Sequence, residues 1–477
     1  MKYNKIFISS IIIMSSFMFV GCKDNVSVNK IEKKASIEYI SSKDLSKKDG
    51  FQIIDTRNED MYIGWKNNKG ISGHIKKAID FPTNWIELSR KENRLDKELE
   101  RRGIDKEKET ILYGDDDLNK SIVDKFSSCG FKNIKILKGG INEYSKENKE
   151  LERLQGYDFY VSPKWVDELL SGKKPEGYDG RKYKIVEIGL PKDDEGYDSG
   201  HIKGAIFLDP NKINQIPGPR ELTEYENIPI SKQREFWGFP KDKDIKKVLE
   251  SAGIDKDTLV ILYGSTKATT AANRAALVMD YAGVKNIKII NGGKTLWKIE
   301  NRKLYQGNVE TEKVNFGCEI PQNKKIVFDR EQELKFINDK KAVIASVRSW
   351  DEYLGKISGY TYIDKAGDIK NSRFAYAGSN PYAMEDFRNI DNTMFNYNII
   401  KNRWEKWGIK PDKTVSFHCG TGWRAAETYY ISKALGYKNS GVYVGGWYQW
   451  TKYPNSPVKE KGIPKDSPEK EPKEFFE

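Results

Sequence analysis

The chain has 477 residues, with 82 lysines and arginines against 70 acidic residues, a formal net charge of +12, four cysteines and three histidines. So few cysteines imply no disulfide framework, their spacing contains no zinc site, and three scattered histidines exclude a histidine-based metal cluster. The lysines are interspersed with acids, without an arginine-rich stripe or a basic block interleaved with aromatics, so a mixed-sign, solvated surface is expected and no nucleic-acid partner.

At the start of the chain, Lys2 and Lys5 precede an apolar run from Ile6 to Val20, closed by Gly21-Cys22. This order and length predict an export signal over residues 1–22, too short and wrongly flanked for a stable membrane span. Its ending, Phe19-Val20-Gly21-Cys22, resembles a bacterial lipoprotein cleavage box, although Phe19 stands where Leu is usual. That resemblance implies lipidation of Cys22 and residence on the outer face of the cell membrane, held by the lipid alone. An ordinary cleaved signal, leaving the protein periplasmic or secreted, is the alternative.

Three parallel passages follow. The first has a strand over Phe51 to Asp55, running into Asp55-Thr56-Arg57 and a loop at Ser72-Gly73-His74-Ile75, then a strand at Ile111-Leu112-Tyr113-Gly114. The second repeats the pattern with a strand from Lys184 to Ile188, the loop Ser199-Gly200-His201-Ile202, and Ile261-Leu262-Tyr263-Gly264. The third has Ala342 to Ala345 leading into Ser346-Val347-Arg348, then Gly367-Asp368-Ile369-Lys370 in place of the histidine loop, and Val415-Ser416-Phe417-His418-Cys419. A Gly-x-Lys-Asn element (Gly130, Gly283, Gly436) and a later Gly-Gly pair (starting at Gly139, Gly292, Gly445) each recur at a spacing of 153 residues. A recurrence of that length is a whole domain rather than a solenoid repeat. Strands alternating with helices, and apolar enough for burial on both faces, predict three α/β modules over 36–155, 160–302 and 325–458, each a parallel sheet with helices on both faces. Residues 459–477, rich in charge and proline with few hydrophobes, predict a disordered tail.

Ligands of such sheets bind beyond the carboxyl ends of strands, and Cys419 sits at that place in the third module. Gly114 and Gly264 stand there in the other two, which predicts that they are inactive. The loop Cys419-Gly420-Thr421-Gly422-Trp423-Arg424 leads into a helix beginning near Ala425, so a thiolate would face unpaired loop and first-turn N–H groups. Those dipoles and the Arg424 guanidinium would lower the thiol pKa from about 8.5 by one to several units. The two glycines let the backbone turn tightly with its N–H groups inward. His418 is not expected to form a dyad with Cys419, because adjacent residues at a strand end point to opposite faces. His74 and His201 are expected to fix their loops by hydrogen bonding. Asp115-Asp116-Asp117 is read as a solvated acidic turn, since a calcium loop would need a Gly at its sixth place and a distant Glu. Cys129 is expected to be a buried small hydrophobe, and Cys318 falls in a linker.

The Cys-Gly-Thr-Gly-Trp-Arg loop and the Gly-His-Ile loops resemble the rhodanese family of sulfurtransferases. The likeness covers nearly all of residues 36–458, as three rhodanese modules. Ser346-Val347-Arg348-Ser349-Trp350, Ser358-Gly359-Tyr360 and Gly445-Gly446-Trp447-Tyr448 make it closest to exported three-domain thiosulfate sulfurtransferases with one catalytic cysteine in the third module. The resemblance implies that Cys419 takes the outer sulfur of thiosulfate as a persulfide and passes it to a small thiol, a protein thiol or cyanide, with no cofactor and no metal. It further implies that the N–H groups of Gly420 to Arg424 hold the terminal sulfur, that Thr421 adds a hydroxyl donor, that Arg424 steadies the loop and the anionic substrate, and that Arg348 makes a second sulfonate contact. 3-Mercaptopyruvate is the alternative donor. Relatives acting on phosphate or arsenate have a loop longer by one residue than the Cys-x4-Arg spacing here. A lipid-tethered scaffold or sulfur-carrier role is the non-enzymatic alternative.

Overall fold

Each of the three passages builds one five-stranded sheet, and in all three the strand order is the same. In the computed structural model, which describes residues 37–472 except 148–149, 191–192, 219–220 and 222–226 and 267–268, all neighbours within these sheets are parallel. The export signal and Cys22 lie outside the described residues. Module one centres on Gln52–Asp55 and Thr110–Tyr113, module two on Tyr183–Ile188 and Leu259–Gly264, and module three on Ala342–Ser346 and Thr414–His418. These central strands are rich in apolar residues and almost wholly buried, as sheets covered on both faces require.

Residues Glu38–Glu477 form one compact body. Modules two and three share a single hydrophobic core, which runs from Tyr160 and Ile261 through Ala275 and Met279 to Ala425 and Ile431. Its centre is the packing of helix Thr269–Ala282 against helix Trp423–Ala434, the two helices that follow the equivalent strand ends. Both are buried nearly all round, so alanines dominate the contact and let the helices approach closely. The cysteine-bearing loop of module three therefore opens against module two.

The expected disordered tail is corrected over its described part. Residues 459–472 run across module three: Lys459 donates its N–H to the Asp368 carbonyl, Gly462 to that of Leu354, Asp466 pairs with Arg373, and Glu469 accepts from the Tyr376 hydroxyl and the Trp407 indole. Backbone and carboxylate anchors hold this segment, which is why a count of hydrophobes missed it.

Candidate active site

Strand Thr414–His418 delivers Cys419 to the carboxyl end of the module-three sheet, and helix Trp423–Ala434 begins four residues later. Cys419 is fully buried. Its Sγ accepts a hydrogen bond from the Gly422 N–H at 3.1 Å, so the loop does turn an amide inward onto the sulfur. Gly422 has φ +81°, and a Cβ there would stand 2.4 Å from the Val444 carbonyl oxygen and 2.8 Å from an Arg274 nitrogen, so only glycine fits. The Gly-Gly pair clamps the other side. Trp447 and Tyr448 donate their N–H groups to the carbonyls of Cys419 and Gly420 at 2.8 and 2.9 Å. A Cβ on Gly446, at φ +54°, would meet the Cys419 carbonyl oxygen at 2.5 Å. Module one repeats this contact, with Ile141 and Asn142 donating to the carbonyls of Gly114 and Asp115 and a Cβ on Gly140 falling 2.5 Å from the Gly114 carbonyl oxygen. Thr421 is buried within the loop, and Trp423 opens the helix half-buried.

Arg424 does not face the sulfur as a free cation. Both its Nη atoms bind the Glu352 carboxylate at 3.0 Å in a two-pronged pair, and Arg348 Nε reaches the same carboxylate at 3.1 Å. Glu352 also accepts from the N–H and hydroxyl of Ser349, closing a capping box at the start of helix Trp350–Tyr353. Burial alone would raise the Glu352 carboxyl, but Arg424 and Arg348 hold it down at about 2. Arg424 thus ties the start of its helix to Glu352, and its charge is matched there.

Arg348 requires correction as a sulfonate contact. It is fully buried, and its donors go to Glu352, to the carbonyls of Gly367 and Ser358, and toward Asp368 at 3.5 Å. Arg57 in module one makes the corresponding contact, donating to the Gly73 carbonyl at 2.7 Å. An arginine that recurs in a module lacking the cysteine is a loop tie, and that recurrence was visible in the sequence.

His418 turns away from Cys419. Its Nε2 lies 3.1 Å from the Asp368 carboxylate, in the place where Tyr113 meets Asp55 at 2.7 Å and Tyr263 meets Glu187 at 2.8 Å. Asp368, which burial would otherwise raise, is kept at about 2 by His418, Arg348 and Ser346. His74 and His201 anchor their loops: each Nδ1 engages the carbonyl of the next residue at 2.9 and 3.0 Å, and each ring stacks on a tyrosine, Tyr62 or Tyr197. The acidic turn of module one is more than solvated, since Asp115 pairs with Arg57 and Asp117 accepts from the Gly139 N–H at 2.6 Å. Cys129, Cys318 and Cys419 are free thiols. Cys129 is buried, and that burial raises its pKa.

In the sequence Tyr360 enters only as part of the family likeness, and no local pattern shows that it covers this loop. Tyr360 lies over Gly420, where a Cβ would fall 2.2 Å from its ring, and its hydroxyl donates to the Pro381 carbonyl at 2.7 Å. Tyr360 stacks on Tyr362 with centroids 5.2 Å apart, and Tyr362 stacks in turn on Trp237 of module two at 5.1 Å.

A buried cysteine in a glycine-turned loop, with an inward amide and an arginine-carboxylate brace, on tandem five-stranded parallel sheets, defines a rhodanese-type sulfur-transfer site. The family model for the rhodanese-like domain matches residues 41–147, 162–300 and 330–453, and the chain belongs to this family as a sulfurtransferase. Thiosulfate sulfurtransferase YnjE of Escherichia coli is 34% identical over 412 residues, covering 85% of this chain and 88% of that protein. Sulfur carrier protein TtuD of Thermus thermophilus is 27% identical, covering 62% and 95%. Among solved structures, an anaerobic ergothioneine biosynthesis enzyme from Chlorobium limicola in complex with trimethyl histidine superimposes with a TM-score of 0.81 at 29% identity, over 90% of this chain and 100% of that one.

Proposed function

We propose that this chain is a thiosulfate sulfurtransferase working through a persulfide on Cys419. The observation that supports this most is the Gly422 amide turned onto the Cys419 sulfur, a donor placed where negative charge on sulfur would collect. In the first half-reaction the Cys419 thiolate attacks the outer sulfur of thiosulfate. The sulfur–sulfur bond of the donor breaks, its electron pair leaves with sulfite, and a Cys419 persulfide anion remains. In the second, an acceptor thiolate attacks the terminal sulfur, takes it as a new persulfide and returns Cys419 as thiolate. Gly420 to Arg424 form the cradle, and Gly446 holds it shut. After incubation with thiosulfate, the Cys419 peptide is expected to gain the mass of one sulfur with stoichiometric sulfite release. An unmodified peptide would overturn the reading. 3-Mercaptopyruvate in place of thiosulfate, read as pyruvate release, tests the alternative donor.

A second acceptor is favoured by the solved neighbours, named EanB, one of which is described as a cysteine persulfide in a tetrahedral intermediate with ergothioneine. The tyrosine and the threonine replaced in those structures stand at the same spacings from the persulfide cysteine as Tyr360 and Thr421 do from Cys419. Hercynine is therefore the acceptor to try beside glutathione and cyanide, with ergothioneine as the product sought. Export with lipidation at Cys22 completes the proposal: Cys22→Ala is expected to release the protein from membranes, and retention would refute the anchor.

A further inference from the structure

One arginine at the site is not accounted for by the family's loop. Arg274 stands on helix Thr269–Ala282 of module two and is fully buried against the module-three loop. Its Nε donates to Asn214 Oδ1 at 2.6 Å and its Nη2 to the Trp237 carbonyl at 2.7 Å. Trp237 adopts φ +65°, a costly conformation for a bulky residue, and in it supplies this carbonyl. These two neutral acceptors fix the side chain without neutralising it. The remaining nitrogen, Nη1, has no hydrogen-bond partner and rests against Gly422, 2.8 Å from where a Cβ would project. No carboxylate pairs with Arg274 among the described residues, and the ionisable group that acts on it is Cys419.

A buried, unpaired guanidinium is costly, because an uncompensated charge loses its hydration. Burial accordingly lowers Arg274 to about 9, while Cys419 acts in the opposite direction. Among the described residues, the other charged groups on the loop and its flanks are matched, and the nearby hydroxyls are neutral at pH 7. Arg424 is met by Glu352, and His418 by Asp368. Burial pushes the hydroxyls of Tyr360 and Tyr362 upward, so both stay protonated. The open positive charge next to the catalytic loop therefore comes from the neighbouring module.

We propose that Arg274 is a positioning residue that module two lends to module three, the counter-cation that holds Cys419 in its anionic form, first as thiolate and then as persulfide. It acts through the field it places at the loop and through its contact with Gly422. The persulfide half of this proposal rests on the function proposed above, whereas the thiolate half does not.

The test titrates the Cys419 thiolate by its ultraviolet absorbance in the full chain, each variant being referenced to its own Cys419→Ser counterpart, with no sulfur donor present. Arg274→Gln is expected to raise the apparent pKa of Cys419 by about one unit or more, and Arg274→Lys to restore most of the shift. Asn214→Asp, which sets a carboxylate on Arg274 without removing it, is expected to move the pKa in the same direction by less, and it decides the matter if Arg274→Gln does not fold. Sulfite release at pH 7 should fall with the thiolate fraction, about tenfold for one unit. An unchanged titration in Asn214→Asp and in whatever Arg274→Gln protein folds would overturn the proposal. Because the titration needs no donor, it stands even if thiosulfate proves to be the wrong substrate.

Discussion

The strand end at Gly264 in module two and the strand end at Cys419 in module three occupy equivalent places in their sheets but differ in what the neighbouring module sends them. Each lies beside a Gly-Gly pair whose second glycine has nearly the same φ, +53° at Gly293 and +54° at Gly446. Each also faces the helix that follows the other's strand. At the same position of these paired helices, module two carries Arg274 and module three carries Glu427. Arg274 arrives at the cysteine loop uncompensated, whereas Glu427 lines the cavity beside Gly264 already paired with Arg388 at 3.0 Å. Under the proposal above, activity needs both a thiol and the cation sent by the neighbouring module, and module two has Gly264 where the thiol would stand. A module that has lost its nucleophile still shapes the site of its neighbour.

This contrast can be broken at several points. Cys419→Ser is expected to lower sulfite release by about 10³-fold or more, because no other group can take up the sulfur, while Cys129→Ser and Cys318→Ser leave it unchanged. Steady-state sulfite assays decide this, and equal losses in all three would indicate a folding defect instead of a lost nucleophile. Glu352→Gln leaves Arg424 and Arg348 buried without their shared carboxylate and should cost about 3–5 kcal/mol in urea unfolding. Since the folded carboxyl sits near 2 against an ordinary 4.5, its stabilisation is complete above about pH 4.5 and is lost as pH falls toward 2. The stability gap between wild type and Glu352→Gln should therefore narrow over that range, and a constant gap would mean that the pair is not what holds the brace.

Gly446→Ala forces a methyl group toward the Cys419 carbonyl oxygen and is expected to cost about 1–3 kcal/mol, with slower persulfide formation measured by mass spectrometry. The smallest expected effect belongs to Gly264→Cys, which should give no sulfite release in a Cys419→Ser background. Turnover there would show that the charge difference between the two loops is immaterial.

The three-module plan was legible because glycine pairs whose second member has a left-handed backbone recur at a fixed spacing, and the position of Cys419 followed from the end of a buried strand. Glu352 was partly legible, since Ser349-x-x-Glu352 is a capping box, but its bond to Arg424 spans 72 residues and no local pattern encodes it. Arg348 drew its expected substrate contact from the family resemblance, whereas its partners Glu352, Ser358 and Gly367 lie on segments that fold over it. Arg274 left no trace: it lies in an alanine-rich helix of a module without a nucleophile, and its meaning arises only where two modules meet. The tail was misjudged for a related reason, as its carboxylates find partners on a surface that is assembled from distant segments.

The ring stack of Trp237, Tyr362 and Tyr360 bridges two modules above a thiol with no solvent exposure. If Cys419 carries a sulfur as proposed above, that atom would sit beneath these rings, away from bulk solvent. An acceptor would then have to reach it past Trp237, Tyr362 and Tyr360, so the range of acceptor sizes the protein uses would report how far those rings can part.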